Sequence, residues 1–148
     1  MKTQLVVAGY LINQDKVLLI HHKKLDMWLP PGGHIDENET PDEALIREFQ
    51  EELNLEIEIL NRNDVLVSGN IKKQLAVPFY VNVHSVGDHD HCCFYYLCQS
   101  QNLEKLKINP ELKNFGWFSK EQLNQKHIPK DVGNIALKAF ELDERLGK

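Results

Sequence analysis

The chain has no long apolar run, few cysteines and no surplus of basic charge, and each shortfall removes a class of function. No stretch approaches the roughly 20 apolar residues that a membrane-crossing helix needs. The apolar run near the start, in MKTQLVVAGYLINQDKVLLIHH, is broken by Tyr10, Asn13, Gln14 and Asp15 and lacks a small-residue cleavage site. It reads as a hairpin, and no membrane partner is expected. Cysteine occurs three times, as Cys92, Cys93 and Cys98. An odd, tightly clustered set gives no disulfide framework and suits a reducing compartment, so the cytoplasm is the expected location. The formal net charge is −5, which argues against broad binding to nucleic acid, whose phosphates are held by patches of Lys and Arg. A polyanionic small molecule remains open where a cation mediates.

What is present has the balance of a globular protein. With 148 residues, 42% hydrophobic and 26% charged, the chain is expected to be one domain over residues 1–148. Residues 4–12 and 17–21 are apolar runs separated by the polar cluster NQDK, a predicted β-hairpin. A loop is predicted from Lys23 to Thr40, with Pro30, Pro31, Gly32 and Gly33 both stiffening it and letting its backbone approach a ligand. Thr40-Pro41-Asp42-Glu43 starts a helix: Thr40 caps, Pro41 suits the first position and Glu43 completes a capping box. The helix should end near Leu53, where Asn54 can take the left-handed conformation. Residues 55–60, 76–86 and 91–100 have strand composition, as does FGWFS, and Ser119 to Gln122 is a second capping box. Val132, Ile135, Ala136, Ala139 and Phe140 lie at helical spacing, so the last helix packs one face on the sheet. Strands in all three thirds with helices between and after them imply a mixed sheet covered by helices, α/β or α+β.

The chemistry is concentrated in GGHIDENETPDEALIREFQEELNL, residues 32–55. On a helix, Glu48, Glu51 and Glu52 fall within an arc of about 100°, while Leu45, Ile46, Phe49 and Leu53 occupy a neighbouring arc that anchors the helix. Like charges so placed repel, and Arg47, four residues from both Glu43 and Glu51, offsets only part of this. A divalent ion with a taste for hard oxygen ligands, Mg²⁺ or Mn²⁺, offsets the rest. An isolated acidic helix face is most often just solvated. Here the preceding turn offers Gly33 as a backbone ligand and Glu39 as a further acid.

The spacing Gly33, five residues, Glu39, seven residues, Arg47-Glu48-Phe49, one residue, Glu51-Glu52, one residue, Asn54-Leu55 resembles the Nudix box. Asn54 stands where that family has glycine; VVAGYLI, WLPPGG and GWFSKEQL resemble its usual flanks. The resemblance implies an α/β/α sandwich around a mixed β-sheet. It implies Glu48, Glu51 and Glu52 as ligands of Mg²⁺ or Mn²⁺ with the Gly33 carbonyl, and Glu48, Glu51 and Arg47 as the catalytic residues. Arg47 would orient the glutamates and Glu39 would ligate through water. The general base is then Glu48, Glu51 or a residue from a distant loop. The implied reaction is attack of water on phosphorus at a diphosphate linkage of a nucleoside triphosphate or nucleoside diphosphate derivative. The rival reading is a Nudix-like module that binds a nucleotide without cleaving it; the retained glutamates favour catalysis. A monomer and a homodimer are both compatible with the sequence.

Weaker signals remain. Glu111 is a candidate ligand or base, more simply a surface glutamate. His89, His91 and Cys93 alternate, so an extended strand would place all three on one face as a zinc site demands, with no fourth ligand evident. Trp28 and His34 flank the glycine turn and could stack on a base, although core packing suits Trp28 better. His21, His22, Lys23 and Lys24 could meet phosphates, or form a solvated cluster at a strand end.

Overall fold

Two polar residues set the first frame of the fold. In the computed structural model, which describes residues 2–147, strand β1 (Thr3–Asn13) turns through Gln14 and Asp15 into β2 (Lys16–His22). Both turn residues take positive φ, 50° and 62°, and Asn13 faces Lys16 across the hairpin. Positive φ at both central positions gives the turn whose twist matches that of the strands. Between residues 23 and 40 the structure differs from the expected loop. It contains β3 (Met27–Leu29), paired with β2, and β4 (Gly32–His34), paired with β1. Three residues are too few to display a period of two, and two of those in β4 have no side chain to display it.

Helix α1 (Pro41–Leu53) starts and stops where its capping residues predict. Thr40 Oγ1 accepts from the Glu43 amide at 3.1 Å, and Glu43 Oε1 accepts from the Thr40 amide at 2.9 Å. Asn54 ends the helix at φ 55°, ψ 35°. Its side chain adds contacts that glycine lacks: Nδ2 donates to the Lys105 carbonyl at 3.1 Å, and Oδ1 accepts from Gln50 Nε2 at 3.0 Å. Of the run at 55–60 only β5 (Glu58–Ile59) is strand, and β6 (Tyr80–Ser85) begins later than Ala76. Ala76 is instead bridged to Arg62 and donates its amide to buried Asp42 at 3.0 Å, tying the 60–79 segment to the first turn of α1. Then come β7 (Asp90–Gln99), β8 (Leu112–Phe118), a short 3-10 turn capped by Ser119, and α2 (Lys130–Gly147).

The eight strands form a mixed sheet around β1 and β7, which run parallel from the Thr3–Asp90 pair to the Leu11–Cys98 pair. On its other side β7 pairs antiparallel with β6 and β5, while β2 pairs with β3 and β8. Val6, Ala8, Tyr10 and Ile12 of β1 are buried beneath Val132, Ile135, Ala136, Ala139 and Phe140 of α2. Val7 and Leu11 are buried on the opposite face with Leu45, Phe49 and Leu53 of α1. A strand covered on both faces reads as an almost continuous apolar run, as β1 does. Gly9 lies under Phe49: a Cβ there would stand 2.5 Å from the Phe49 ring. The result is the α/β/α arrangement expected, with α1 pressed close to β1.

The Asn54 contacts give a direct test of the helix end. Asn54→Ala is expected to lower stability by about 1–2 kcal/mol, from the left-handed backbone penalty alone, and Asn54→Gly by less. Urea unfolding at constant m-value measures both; equal loss in the two variants would mean that the side-chain contacts, not the backbone, set the cost.

Candidate active site

Gly33 and Glu48 meet where β4 passes the acidic face of α1. A Cβ on Gly33 would overlap the Glu48 carboxylate, so only glycine lets this side chain lie flat on the strand. One turn on, Glu52 Oε1 accepts from the Gly32 amide at 3.0 Å. The two glycines thus hold two of the three carboxylates predicted to share a face. Glu51 is the more open member, with its side chain half exposed.

Arg47 lies among these acids. Its Nε and Nη2 bind Glu39 Oε2 and Oε1 at 2.8 and 3.0 Å, a two-pronged pairing. Nη1 reaches Glu51 Oε1 at 3.0 Å and Glu48 Oε2 at 3.3 Å, and Nη2 donates to the His34 carbonyl at 2.9 Å. Asp36 Oδ2 stands 3.5 Å away, and the Asp36 amide donates to Glu39 Oε1 at 2.9 Å. The guanidinium is therefore held more firmly protonated than usual, chiefly by its bonds to Glu39. Those same bonds, with that from the Asp36 amide, hold Glu39 below the usual carboxylate range. Arg47 is thus engaged by Glu39, Glu48, Glu51 and the His34 carbonyl at once. Both oxygens of Glu39 accept from Arg47.

The two acids seated on the glycines, Glu48 and Glu52, are under electrostatic stress. Burial, and then the neighbouring Glu48 charge, push Glu52 up to about 8 against the opposing pull of the Gly32 amide. Glu48 is raised as well, mainly by burial, with Arg47 working against it. Among the described residues no three His, Cys, Asp or Glu side chains already stand at ligand spacing. The donor set nevertheless fits a hard divalent ion: carboxylate oxygens held at a glycine turn against a mutual repulsion that positive charge would relieve.

A cleft of about 710 Å³ opens beside the acids, bounded by Glu48, Glu51 and Glu52 on one side and by His22, Lys23 and Lys24 on another. Lys23 Nζ donates to the Pro110 carbonyl at 2.6 Å, pinning the end of β2 to the loop that carries Glu111. Glu111 lines the same cleft. His21 does not join it; its ring is buried, stacked on Trp28 at 4.8 Å and bonded to Asp26 at 2.9 Å. Trp28 also meets Phe118 edge-on at 5.0 Å, the packing role expected of it.

His22 also borders a second cavity of about 190 Å³, walled by Tyr10, Leu29, Tyr95 and Val132 with His34 and His91 among its lining. Of the candidate trio His89, His91 and Cys93, His91 and Cys93 line this cavity and His89 does not, and the three form no group at ligand spacing. Cys93 is buried, its thiol is pushed up to about 12 by burial, and its Sγ points to its neighbour's carbonyl, Phe94 O, at 3.9 Å. His84, the cross-strand partner of His91 on β6, also lies beside it. Nothing in the sequence signalled His84, because its nearness depends on the β6–β7 register.

The sequence matches the Nudix domain family over residues 2–137. It is 33% identical to a crystal structure of a Nudix-family hydrolase from Clostridium perfringens, covering 96% of this chain and 99% of that one with a TM-score of 0.82. Among curated relatives it is 29% identical to an RNA pyrophosphohydrolase of Hydrogenovibrio crunogenus, over 74% of this chain and 70% of the relative. It is 26% identical to an 8-oxo-dGTP diphosphatase of Proteus vulgaris, over 51% and 72%. A glycine turn that seats two glutamates of one helix, an arginine clamped among its acids and a family match over nearly the whole chain lead to one conclusion: the chain belongs to the Nudix family and is a Nudix hydrolase.

Proposed function

We propose that the protein hydrolyses a diphosphate linkage in a nucleoside triphosphate or nucleoside diphosphate derivative, with Mg²⁺ or Mn²⁺ held by Glu48, Glu51, Glu52 and the Gly33 carbonyl. The observation that carries this reading is the seating of Glu48 and Glu52 on Gly33 and Gly32 at the wall of a cleft lined elsewhere by Lys23 and Lys24. The names of the two curated relatives, a pyrophosphohydrolase and a diphosphatase, support the same bond. When bound, such an ion neutralises charge on phosphate oxygens and makes water more acidic. The chain supplies the rest. Glu48 or Glu51 takes the proton of the attacking water, Arg47 holds both in place, and Lys23 and Lys24 meet the phosphates. The apolar walls of the 190 Å³ cavity, which shares His22 with the cleft, receive the organic part of the substrate. The reducing cytoplasm is its proposed location; Cys92, Cys93 and Cys98 are free thiols.

The test is product analysis after incubation with Mg²⁺ or Mn²⁺ and a panel containing nucleoside triphosphates, oxidised nucleotides, ADP-ribose, nucleotide sugars and a 5′-triphosphorylated RNA. Cleavage between phosphorus atoms is expected, and of Glu48→Gln and Glu51→Gln the one that removes the base should lower kcat by about 10²–10⁴-fold. Binding of nucleotide and metal without turnover of any member would instead favour a non-catalytic module.

The Glu52 proton provides a second test without turnover. In the fold Glu52 keeps its proton up to about pH 8, whereas the unfolded chain releases it near 4.5. Between these values the folded state binds more protons, so this group lowers stability as pH rises. Metal-free wild type should lose thermal stability from pH 5 to 8 relative to Glu52→Gln, and Mn²⁺ should restore it at pH 8 by mass action. Parallel pH profiles for the two proteins, indifferent to Mn²⁺, would contradict the assignment of Glu52.

A further inference from the structure

Four imidazoles gather by the smaller cavity, apart from the acidic wall of the cleft. His91 on β7 is their hub: the ring centres of His89, His34 and His84 lie 5.0, 5.3 and 5.5 Å from its own. Aromatic packing alone allows such distances, so the arrangement of the nitrogens decides. His89 Nδ1 is bonded to Asp88 Oδ1 at 2.7 Å and His84 Nδ1 to Asn82 Oδ1 at 3.0 Å. An oxygen acceptor at Nδ1 fixes the ring proton there and leaves Nε2 with a free lone pair. His89 Nε2 and His91 Nε2 are hydrogen-bonded at 3.2 Å, a contact in which a bound ion would take the place of the shared proton.

Two nitrogens each about 2.0–2.1 Å from one tetrahedral ion stand about 3.4 Å apart, and their rings about 5 Å apart centre to centre. The His89–His91 pair matches both spacings. The third ring, His84, has the ring spacing but not the nitrogen position, and no three groups among the described residues stand at ligand spacing; to ligate, His84 must give up its bond to Asn82 and turn its Nε2 toward the pair. The carboxylate of Asp88 behind His89 is the outer partner that a metal-bound histidine characteristically has.

We propose that His84, His89 and His91 bind one late first-row divalent metal ion through their Nε2 atoms, with a fourth position open to water or ligand. Imidazole nitrogens select Zn²⁺, Ni²⁺ or Cu²⁺, whereas Mg²⁺ takes oxygen ligands, so the site is chemically distinct from the carboxylates of α1. His84, His91 and His34 line the 190 Å³ cavity. An ion there sits at its edge and governs what enters.

The test is calorimetric titration of chelator-treated protein with Zn²⁺ in excess Mg²⁺, which occupies the carboxylates. One Zn²⁺ per chain is expected, unchanged in Glu48→Gln. Asp88→Asn should weaken it about 10- to 100-fold, and His84→Ala and His89→Ala at least as much. Asp88 is a surface residue, so its variant keeps the fold. Absence of Zn²⁺ uptake by the wild type overturns the proposal, as does uptake that survives in Asp88→Asn and both histidine variants. Co²⁺ supplies a measurement on the wild type alone: a nitrogen-ligated tetrahedral absorption spectrum, displaced by one equivalent of Zn²⁺, is expected, and a purely octahedral spectrum overturns the site.

Discussion

The arrangement of the acidic face depends on one cation. Arg47 satisfies Glu39 with two bonds and reaches Glu48, Glu51 and the His34 carbonyl with the rest of its guanidinium. A lysine has no planar fork and could not serve these directions at once. Because the His34 carbonyl belongs to the strand that also carries Gly32 and Gly33, the same side chain ties α1 to β4. The carboxylates of a helix and the amides of a strand are thereby held at one fixed separation.

That separation is possible only because the sheet lets the helix come close. Phe49 lies against Gly9 of β1, and Glu48 lies against Gly33 of β4. Apolar burial on one side of α1 and carboxylate packing on the next thus rest on two glycines in adjacent strands. The consequence is electrostatic. Glu52 is drawn into a poorly solvated place beside Glu48, where its charge is disfavoured, and that stress makes the site receptive to a cation. The cost of repulsion among like charges is the physical counterpart of the affinity proposed for Mg²⁺ or Mn²⁺.

Elements whose signals lie close together in the chain were legible in the sequence. The hairpin turn at Gln14 and Asp15, the Thr40–Glu43 box and the Asn54 stop each involve residues within a few positions of one another, and each appears as read. The buried stripe of α2 follows from helical period alone. Where the reading fell short, the missing information was pairing. The strands β3 and β4 exist through the free edges of β2 and β1. The shortness of β5 and the late start of β6 likewise reflect which neighbours are available, because composition sets strand potential and the partner decides its use.

The sequence by itself determined the acidic stripe of α1, the glycines before it and the family to which they belong, because helical period and capping are properties of neighbours along the chain. Only the tertiary structure decided what those residues face. It brought Lys23, Lys24 and Glu111 to the carboxylate cleft, turned Glu39 toward Arg47, sent Cys93 into the core and set His84 opposite His91. The reason is that cross-strand register and helix-on-sheet packing join residues far apart in sequence, through burial and hydrogen bonding that no local pattern encodes.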